Sequence, residues 1–355
     1  VGVSRLTSLQ GVKVWLSALV GLLVGFCSLL SIISLGGGFY WLLDLTSHFR
    51  PQYLVIIAVL MPIVVALKRK RLAILAATAL CINGLEILPF YLPQPATIDL
   101  VGSRKLKILT LNVNYQNQRF DKILECINKF DPDVFAIEEL TPGLDKELKS
   151  RLPFYKYGCS VPKTDPFGIG IFSRVPIDGS RVVYFEPKFA SIVGELTWDG
   201  KPLFLVATHP TTPLTQGLAA ENKAQLMAIS AEIEQKKETA ILIGDLNATS
   251  WCSAYKDAVG AAHLIDTSRG FGLQVSWLRS FPPLCLAIDH CLTTPDLVTD
   301  ARVIGPDIGS DHWPVYVELQ RRGPYRPNDL LSRGSPVESP RPKLPARTKQ
   351  HQPAT

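Results

Sequence analysis

The 355-residue sequence predicts an α/β protein: two packed sheets with helices outside, preceded by membrane-spanning helices. Three observations predict it. Long uncharged runs fill the first 95 residues. From residue 106 to residue 319, short apolar runs alternate with helical patterns. Hairpin signals are mixed among those helices, which disfavours a purely parallel, doubly wound sheet. The chain is 47% hydrophobic and 19% charged, with a mean hydropathy of +0.17, so a wholly disordered chain is excluded.

The N-terminal segment is read as a membrane anchor over residues 1–95. Residues 14–35 form a 22-residue run without charge, about 33 Å of helix at ~1.5 Å per residue. Residues 53–67 form a second run of 15 that contains Met61-Pro62; at about 22 Å it is short for a span. Residues 72–92 form a third, of 21, interrupted by Asn83 and Glu86. Three spans are predicted, with a hairpin plus one span as the alternative and a secretory signal peptide as a weaker reading. Arg5 and Lys13 precede the first run, and Lys68-Arg69-Lys70-Arg71 separates the second from the third. Only Arg50 lies between the first two. Positive-inside logic puts the N-terminus and the tetrad in the cytoplasm and everything after residue 92 outside, although Arg104, Lys105 and Lys107 pull mildly the other way. Glu86 falls near the outer interface. A transporter would need more spans and more buried polar groups than these.

The middle segment, residues 96–320, carries the α/β pattern. Residues 106–113 read as a strand, and Phe120, Ile123, Leu124, Ile127 and Phe130 recur at helical spacing up to Asp131-Pro132. A fully apolar strand covers residues 134–137, and Thr141-Pro142 reads as an N-cap with proline at the first helical position. Residues 192–198 and 203–208 flank Asp199-Gly200, a hairpin with a type I′ turn. The longest helix is predicted over residues 217–237, followed by a buried strand at 241–243. Strands at 288–293, 298–304 and 314–319 close the segment. Residues 321–355, rich in Pro, Arg and Ser, read as a disordered basic tail.

Charge is distributed unevenly. The net formal charge of +6 splits into +5 for residues 1–95, −5 for residues 96–320 and +6 for residues 321–355. The basic pI therefore describes the anchor and the tail. Seven cysteines, at 27, 81, 126, 159, 252, 285 and 291, include no CxxC pair, so neither a zinc site nor a full disulfide framework is expected. Cys285 and Cys291 are close enough in sequence to pair, but buried free thiols are the preferred reading.

Polar residues interrupt the apolar strands at their ends. Asn112 and Asn114 close the first strand; Glu138-Glu139 ends the next; Thr208-His209-Pro210 ends the hairpin. Gly244-Asp245-Leu246-Asn247 follows the buried strand, Asp289-His290 opens another, and Gly309-Ser310-Asp311-His312 precedes the last. Each motif alone reads as a turn or a cap. All six in order, at strand ends that a sheet gathers along one edge, point to a single pocket. The residue types suit Mg²⁺-assisted phosphoester hydrolysis: hard oxygens for the ion, Asp and Asn for the attacking water, histidines for protons. No Ser or Cys sits at a nucleophile elbow, which disfavours a covalent enzyme.

These motifs resemble the endonuclease/exonuclease/phosphatase superfamily, which has the deoxyribonuclease-I-like fold. The likeness covers residues 106–319 through LNVN at 111–114, PDVFAIEE at 132–139, FGIGIFSR at 167–174, ATHP at 207–210, GDLNAT at 244–249, IDHCL at 288–292 and GSDHWPV at 309–315. It implies a four-layer α-β-β-α sandwich, after the transmembrane helices, and a divalent-metal phosphoesterase using Mg²⁺, with Mn²⁺ as an alternative. An N-terminal membrane segment before such a domain also resembles a bacterial subgroup of poorly defined substrate; with the positive-inside count above, the expected location is the bacterial inner membrane, multi-pass, with the catalytic domain extracytoplasmic. By matching position, Glu139 would be the main metal carboxylate, helped by Asn112 and Asp311. Asp245 would orient and activate water, with Asn247 holding the phosphate or that water. His312 would contact the scissile phosphate or act as base, oriented by Asp289, and His209 would stabilise or protonate the leaving oxygen. Outside that position-by-position match, Asn114 and Trp277 are candidate substrate contacts, Trp277 by stacking, with a core tryptophan as the equal alternative.

Three departures from the family pattern matter. The usual Gln before the metal Glu is Glu138, which is expected to add a negative charge that tightens metal binding or repels substrate. The Thr-Trp-Pro of the subgroup appears as Ser276-Trp277-Leu278. No long basic insertion that grips duplex DNA is visible. The expected substrate is therefore a lipid headgroup, nucleotide or other small phosphoester. A nuclease acting on DNA or RNA is the alternative, disfavoured by the −5 charge of residues 96–320. A catalytically inactive membrane scaffold is disfavoured because every matched position holds a competent residue.

Overall fold

Among the residues described by the computed structural model, 2–93, 104–186 and 188–322, twelve strands form two six-stranded sheets. The first sheet runs in the order β11 (Leu297–Ile304), β12 (Val315–Arg321), β1 (Leu106–Asn112), β2 (Val134–Glu138), β4 (Ile169–Ser173), β3 (Tyr157–Val161). The second runs β5 (Ile177–Glu186), β6 (Phe189–Trp198), β7 (Lys201–Thr208), β8 (Ala240–Asp245), β10 (Asp289–Thr293), β9 (Ile265–Asp266). Ile108, Ala136, Ile171 from one sheet and Ile192, Leu205, Ile243 from the other meet in the central core. Outside the first sheet, α5 (Phe120–Phe130) and α6 (Pro142–Arg151) pack on Leu109, Leu111, Phe135 and Ile137. Outside the second, α7 (Gln216–Lys236) and α8 (Ser253–Ala261) pack on Val206, Leu242 and Leu292. This is the four-layer α-β-β-α sandwich.

Local signals account for most of these boundaries. The α5 helix keeps the predicted apolar spacing and stops at Asp131, in the left-handed region at φ 46°, before Pro132. Thr141 caps α6, its Oγ1 accepting from the Leu144 amide at 3.3 Å. Asp199 and Gly200 both take positive φ (51° and 71°), as a type I′ turn between β6 and β7 requires. The sequence pattern leaves β3, β5 and α8 undefined. Both strands are edges with poor alternation, and β5 is further broken by two register shifts. β4 is fully buried but cut by Gly170, so it lacks a run long enough to read.

The N-terminal helices are α1 (Gly2–Ile33), α2 (Trp41–Ser47), α3 (Arg50–Ala66) and α4 (Lys70–Ile87). Lys13–Gly36 and Lys70–Phe90 are long and apolar enough to cross a membrane; α2 and α3, bent by 57°, make a third crossing only if taken together. The predicted run at 53–67 thus begins earlier, at Arg50, with Pro51 in the first turn. Val24, Ile57, Val64, Ala76 and Ala79 form the buried seam between the helices. A polar chain crosses it: Arg50 Nη1 donates to Asn83 Oδ1 at 3.2 Å, Asn83 Nδ2 to Ser31 Oγ at 2.8 Å, and Ser31 Oγ to Cys27 O at 2.7 Å. Glu86 leaves the seam and pairs with Lys256 Nζ of the sandwich at 2.5 Å, which is why a carboxylate is tolerated there. All seven cysteines are free. The predicted boundary at residues 95/96 and the tail from residue 323 onward lie outside the described residues.

Candidate active site

Strand parity aims the polar termini inward. On β1, Ile108 faces the central core, so Thr110 and Asn112 share its face while Leu109 and Leu111 face α5. On β2, Val134 and Ala136 face inward and Glu138 follows. The same period places His209 after Leu205 and Ala207, Asp245 after Ile241 and Ile243, and Asp289 on the face of Cys291. Sheet register then brings these termini level: Asn112 lies opposite Glu138, and Asp289 opposite Asp245. His290, of opposite parity, turns away and bonds Ala248 O at 2.8 Å.

Asp245 is the centre of the cluster. Its Oδ1 accepts from the Asn247 amide at 2.9 Å; its Oδ2 accepts from Asn112 Nδ2 at 3.0 Å and lies 3.4 Å from His209 Nε2 and 3.7 Å from His312 Nε2. The other imidazole nitrogen of His312 is bonded to Asp289 Oδ2 at 2.9 Å. Asn112 Nδ2 also reaches Glu139 Oε1 at 3.1 Å, and Glu139 Oε2 accepts from the Tyr115 amide at 2.9 Å. Asp311 accepts from Asn114 Nδ2 and from Trp277 Nε1, both at 2.9 Å. Asn247 Nδ2 donates to Pro210 O at 2.9 Å. Glu139, Asn114 and Asn247 all have φ between 50° and 60°, a left-handed kink that turns side chains just past a strand end back into the site. All ten predicted site residues fall in this one region.

The family model described as the endonuclease/exonuclease/phosphatase family matches residues 109–312, more than half of the chain. The chain belongs to the endonuclease/exonuclease/phosphatase family. No curated protein matches it. Among solved structures, a humanized D. rerio TDP2 carrying 14 mutations is 23% identical, with a TM-score of 0.52, covering 61% of this chain and 99% of that one. The family member from Beutenbergia cavernae is 20% identical (TM-score 0.51; 62% and 72% covered). The catalytic domain of human Nocturnin, with a bound sulfate anion, is 17% identical (TM-score 0.52; 61% and 94% covered). At these identities the likeness is one of fold.

Electrostatics in this family member follow from burial and crowding. Burial alone would raise the Asp245 pKa, but His312 and His209 outweigh it and hold it at about 2. Burial alone would lower His312; the Asp289 and Asp245 carboxylates overcome that and push it up to about 10. His209 is raised as well, against its burial, by the same Asp245 carboxylate. Glu138 stands where the family pattern has Gln. Burial first, then the charges of Asp289 and Asp245, push its carboxyl up to about 8. Its Oε1 accepts from Thr110 Oγ1 at 3.0 Å, while Oε2 is buried with no partner. Kept protonated at neutral pH, it presents one donor and one acceptor, as a glutamine amide does.

That shift predicts a pH effect on stability. The unfolded chain releases the Glu138 proton near 4.5, the folded chain only near 8, so this group costs stability increasingly as pH rises through that window. In metal-free protein, Glu138→Gln should gain thermal stability over the parent from pH 5 to pH 8, the gap widening with pH. Parallel melting curves across that range would refute the assignment.

The donor set fits a hard divalent cation. Glu139, Asp245, Asp289 and Asp311 outnumber the two histidines, and no Lys or Arg is among the described residues lining the adjoining cavity. Asp245, Asp289 and His312 offer three ligand atoms within 4.8 Å of one another. Within that trio, however, His312 is already committed to Asp289 at 2.9 Å. The Asn112 amide lies between Glu139 and Asp245, so oxygens on that side are the better candidates. Sequence reasoning missed the supports: Ser276 Oγ accepts from the Asp289 amide at 3.1 Å and Ser310 Oγ from the His312 amide at 3.0 Å. It also missed Leu45, His48 and Phe49, which reach the site from the α2–α3 elbow. Nothing local in the sequence signals that approach.

Proposed function

We propose that this chain is a membrane-anchored, divalent-metal-dependent phosphoesterase. It hydrolyses a phosphodiester or phosphomonoester (a lipid headgroup, nucleotide or other small phosphoester) by in-line attack of water. The observation that carries the reading is the Asp245 carboxylate, held between His209 and His312 beside Glu139 and Asn112. Mg²⁺ or Mn²⁺, bound through Glu139 and Asn112 with help from Asp311, would neutralise charge on the phosphoryl oxygens. Asp245, ionised at neutral pH, aims the attacking water, takes its proton as the new P–O bond forms, and can return that proton to His209 at 3.4 Å. His312, kept cationic and oriented by Asp289, contacts the scissile phosphate. His209, with its Nε2 on Asp245, donates a proton to the leaving oxygen. Asn247 holds the phosphate or the water, and Asn114 and Trp277 flank the substrate through Asp311.

The domain reading is an anchor over 1–95, a catalytic domain over 96–320 and a basic tail over 321–355. Arg69 bonds Ser17 at one end of the helices, whereas Glu86 bonds the sandwich at the other. This separation supports a cytoplasmic tetrad and an extracytoplasmic catalytic domain on a bacterial inner membrane. Nucleic acid is not favoured, since duplex or single-strand binding needs phosphate neutralisation by Lys and Arg.

The full chain in detergent should hydrolyse an aryl phosphodiester or phosphomonoester with Mg²⁺ or Mn²⁺. Chelation should cut the rate by about 100-fold or more, and re-addition of either ion should restore it. A rate indifferent to chelator would sink the metal-dependent reading.

A further inference from the structure

The elbow between α2 and α3 is bolted to the loop that leaves the catalytic strand β8. Asp44 accepts from the Ser253 amide at 2.7 Å and from Ser253 Oγ at 2.8 Å. His48 Nδ1 lies 3.2 Å from Thr249 Oγ1, and the His48 carbonyl accepts from Trp251 Nε1 at 3.3 Å. Gln52 Nε2 donates to Cys285 O at 2.8 Å, and the Phe90 carbonyl accepts from the Gly270 and Gly272 amides at 3.0 and 2.7 Å. A flexible tether would need none of these bonds. They hold the helices against the same end of the sandwich that carries Asp245, Asp289 and His312.

Between the elbow and the catalytic residues lies a cavity of about 450 Å³. Its floor is polar, with Glu139, His209, Asp245 and His312. Its walls are apolar: Leu45 and Phe49 from the elbow, and Phe167, Leu214, Leu286 and Ile288 from the sandwich. Leu214 in its lining is 65% exposed, and Phe39, which lines the neighbouring pocket with Leu45 and His48, is 95% exposed. Phe281 and Leu284, 51% and 44% exposed, lie in the loop whose Cys285 carbonyl binds Gln52 of the elbow. Soluble surfaces rarely gather large apolar side chains around a polar site, and these sit on the side where the apolar helices emerge.

We infer that the substrate is a membrane-resident phosphoester with a long hydrocarbon chain, whose phosphate reaches the catalytic floor while the chain lies along the elbow wall. This rests on the phosphoesterase reading above. A phosphate on a wholly polar molecule gains nothing from leucine and phenylalanine walls and a nucleotide gains only through its base, whereas each methylene of a lipid chain gains by leaving water for them. Lys13–Gly36 and Lys70–Phe90, read as spans, end at the turn and loop that border the cavity, so a bilayer lipid would present its phosphate at that level. The N-terminal helices thus wall the substrate site as well as anchoring it.

The test compares two phosphodiesters with one leaving group and one charge: hexadecyl 4-nitrophenyl phosphate and methyl 4-nitrophenyl phosphate. A monoester pair, hexadecyl phosphate and butyl phosphate, is run alongside. The full chain is reconstituted in phosphatidylcholine vesicles with Mg²⁺ or Mn²⁺. The long-chain ester should be preferred in kcat/KM by at least about tenfold. Leu45→Asp and the exposed Leu214→Asp should each reduce that chain-length preference several-fold, mainly through KM. Partitioning into the vesicle is common to all proteins, so the change in preference reports the wall. Hydrolysis of the short esters with no preference, or with a preference both variants retain, would overturn the inference and leave the phosphoesterase reading standing. No hydrolysis of any of the four would remove that reading and this inference with it.

Discussion

Replacing His312 by alanine should lower kcat for phosphoester hydrolysis by about 10²–10⁴, or about 3–5 kcal/mol of barrier. The imidazole is buried, its Nδ1 is bonded to Asp289 at 2.9 Å, and its Nε2 points towards Asp245 at 3.7 Å. Two carboxylates raise its pKa to about 10, so it carries a positive charge at neutral pH and meets a phosphate as a cation. Alanine removes that charge and leaves the buried Asp289 and Asp245 carboxylates without their cationic partner, so the metal-free variant should melt below the parent, and kcat is compared on folded protein. The pH profile separates this role from a structural one. A group needed in its protonated form produces a rate that falls as pH rises through its pKa; the alanine variant should lack that alkaline limb. A variant within threefold of the parent, or one keeping the same limb, would remove His312 from the chemistry. Asp289→Asn should lose less, because it disturbs the orientation of the ring rather than removing it.

Gly244→Ala should destabilise the sandwich by about 3 kcal/mol or more and abolish activity with it. Gly244 sits in β8 at φ 136°, and a Cβ there would lie 2.0 Å from the Thr208 carbonyl and 3.1 Å from Glu138 Oε1. The backbone cannot yield to one side without pushing β8 off β7, and Asp245 is the next residue. Denaturant unfolding measures the loss. Gly260→Ala is the matching control, since a Cβ at that helical glycine meets nothing within 4 Å. Equal stability of the two variants would show that β7 and β8 are not tightly joined at Gly244.

Much of the site can be read from sequence because strand parity is local. Once Ile241 and Ile243 are known to face a core, Asp245 must face it too, and the same count works for Asn112, His209 and Asp289. The helix α5 and the β6–β7 hairpin were equally legible, one from apolar spacing and the other from Asp199-Gly200. The count fails at Glu138 and Glu139. Parity puts Glu138 inward, where it is buried and pushed towards its neutral form, while Glu139 enters the site only through its left-handed backbone. Edge strands such as β5 were illegible because one face meets water and selects no alternation.

The sequence alone determined the apolar helices, eight of the twelve strands and the polar residue types at their ends, the elements following from periods of two or 3.6 residues. The tertiary structure alone decided that Asp289 lies opposite Asp245, that His312 bridges them, and that Leu45 and Phe49 close the cavity above. Those contacts join residues from 23 apart (Asp289 and His312) to 267 apart (Leu45 and His312), and no local period carries information over such a separation; sheet order and packing set them.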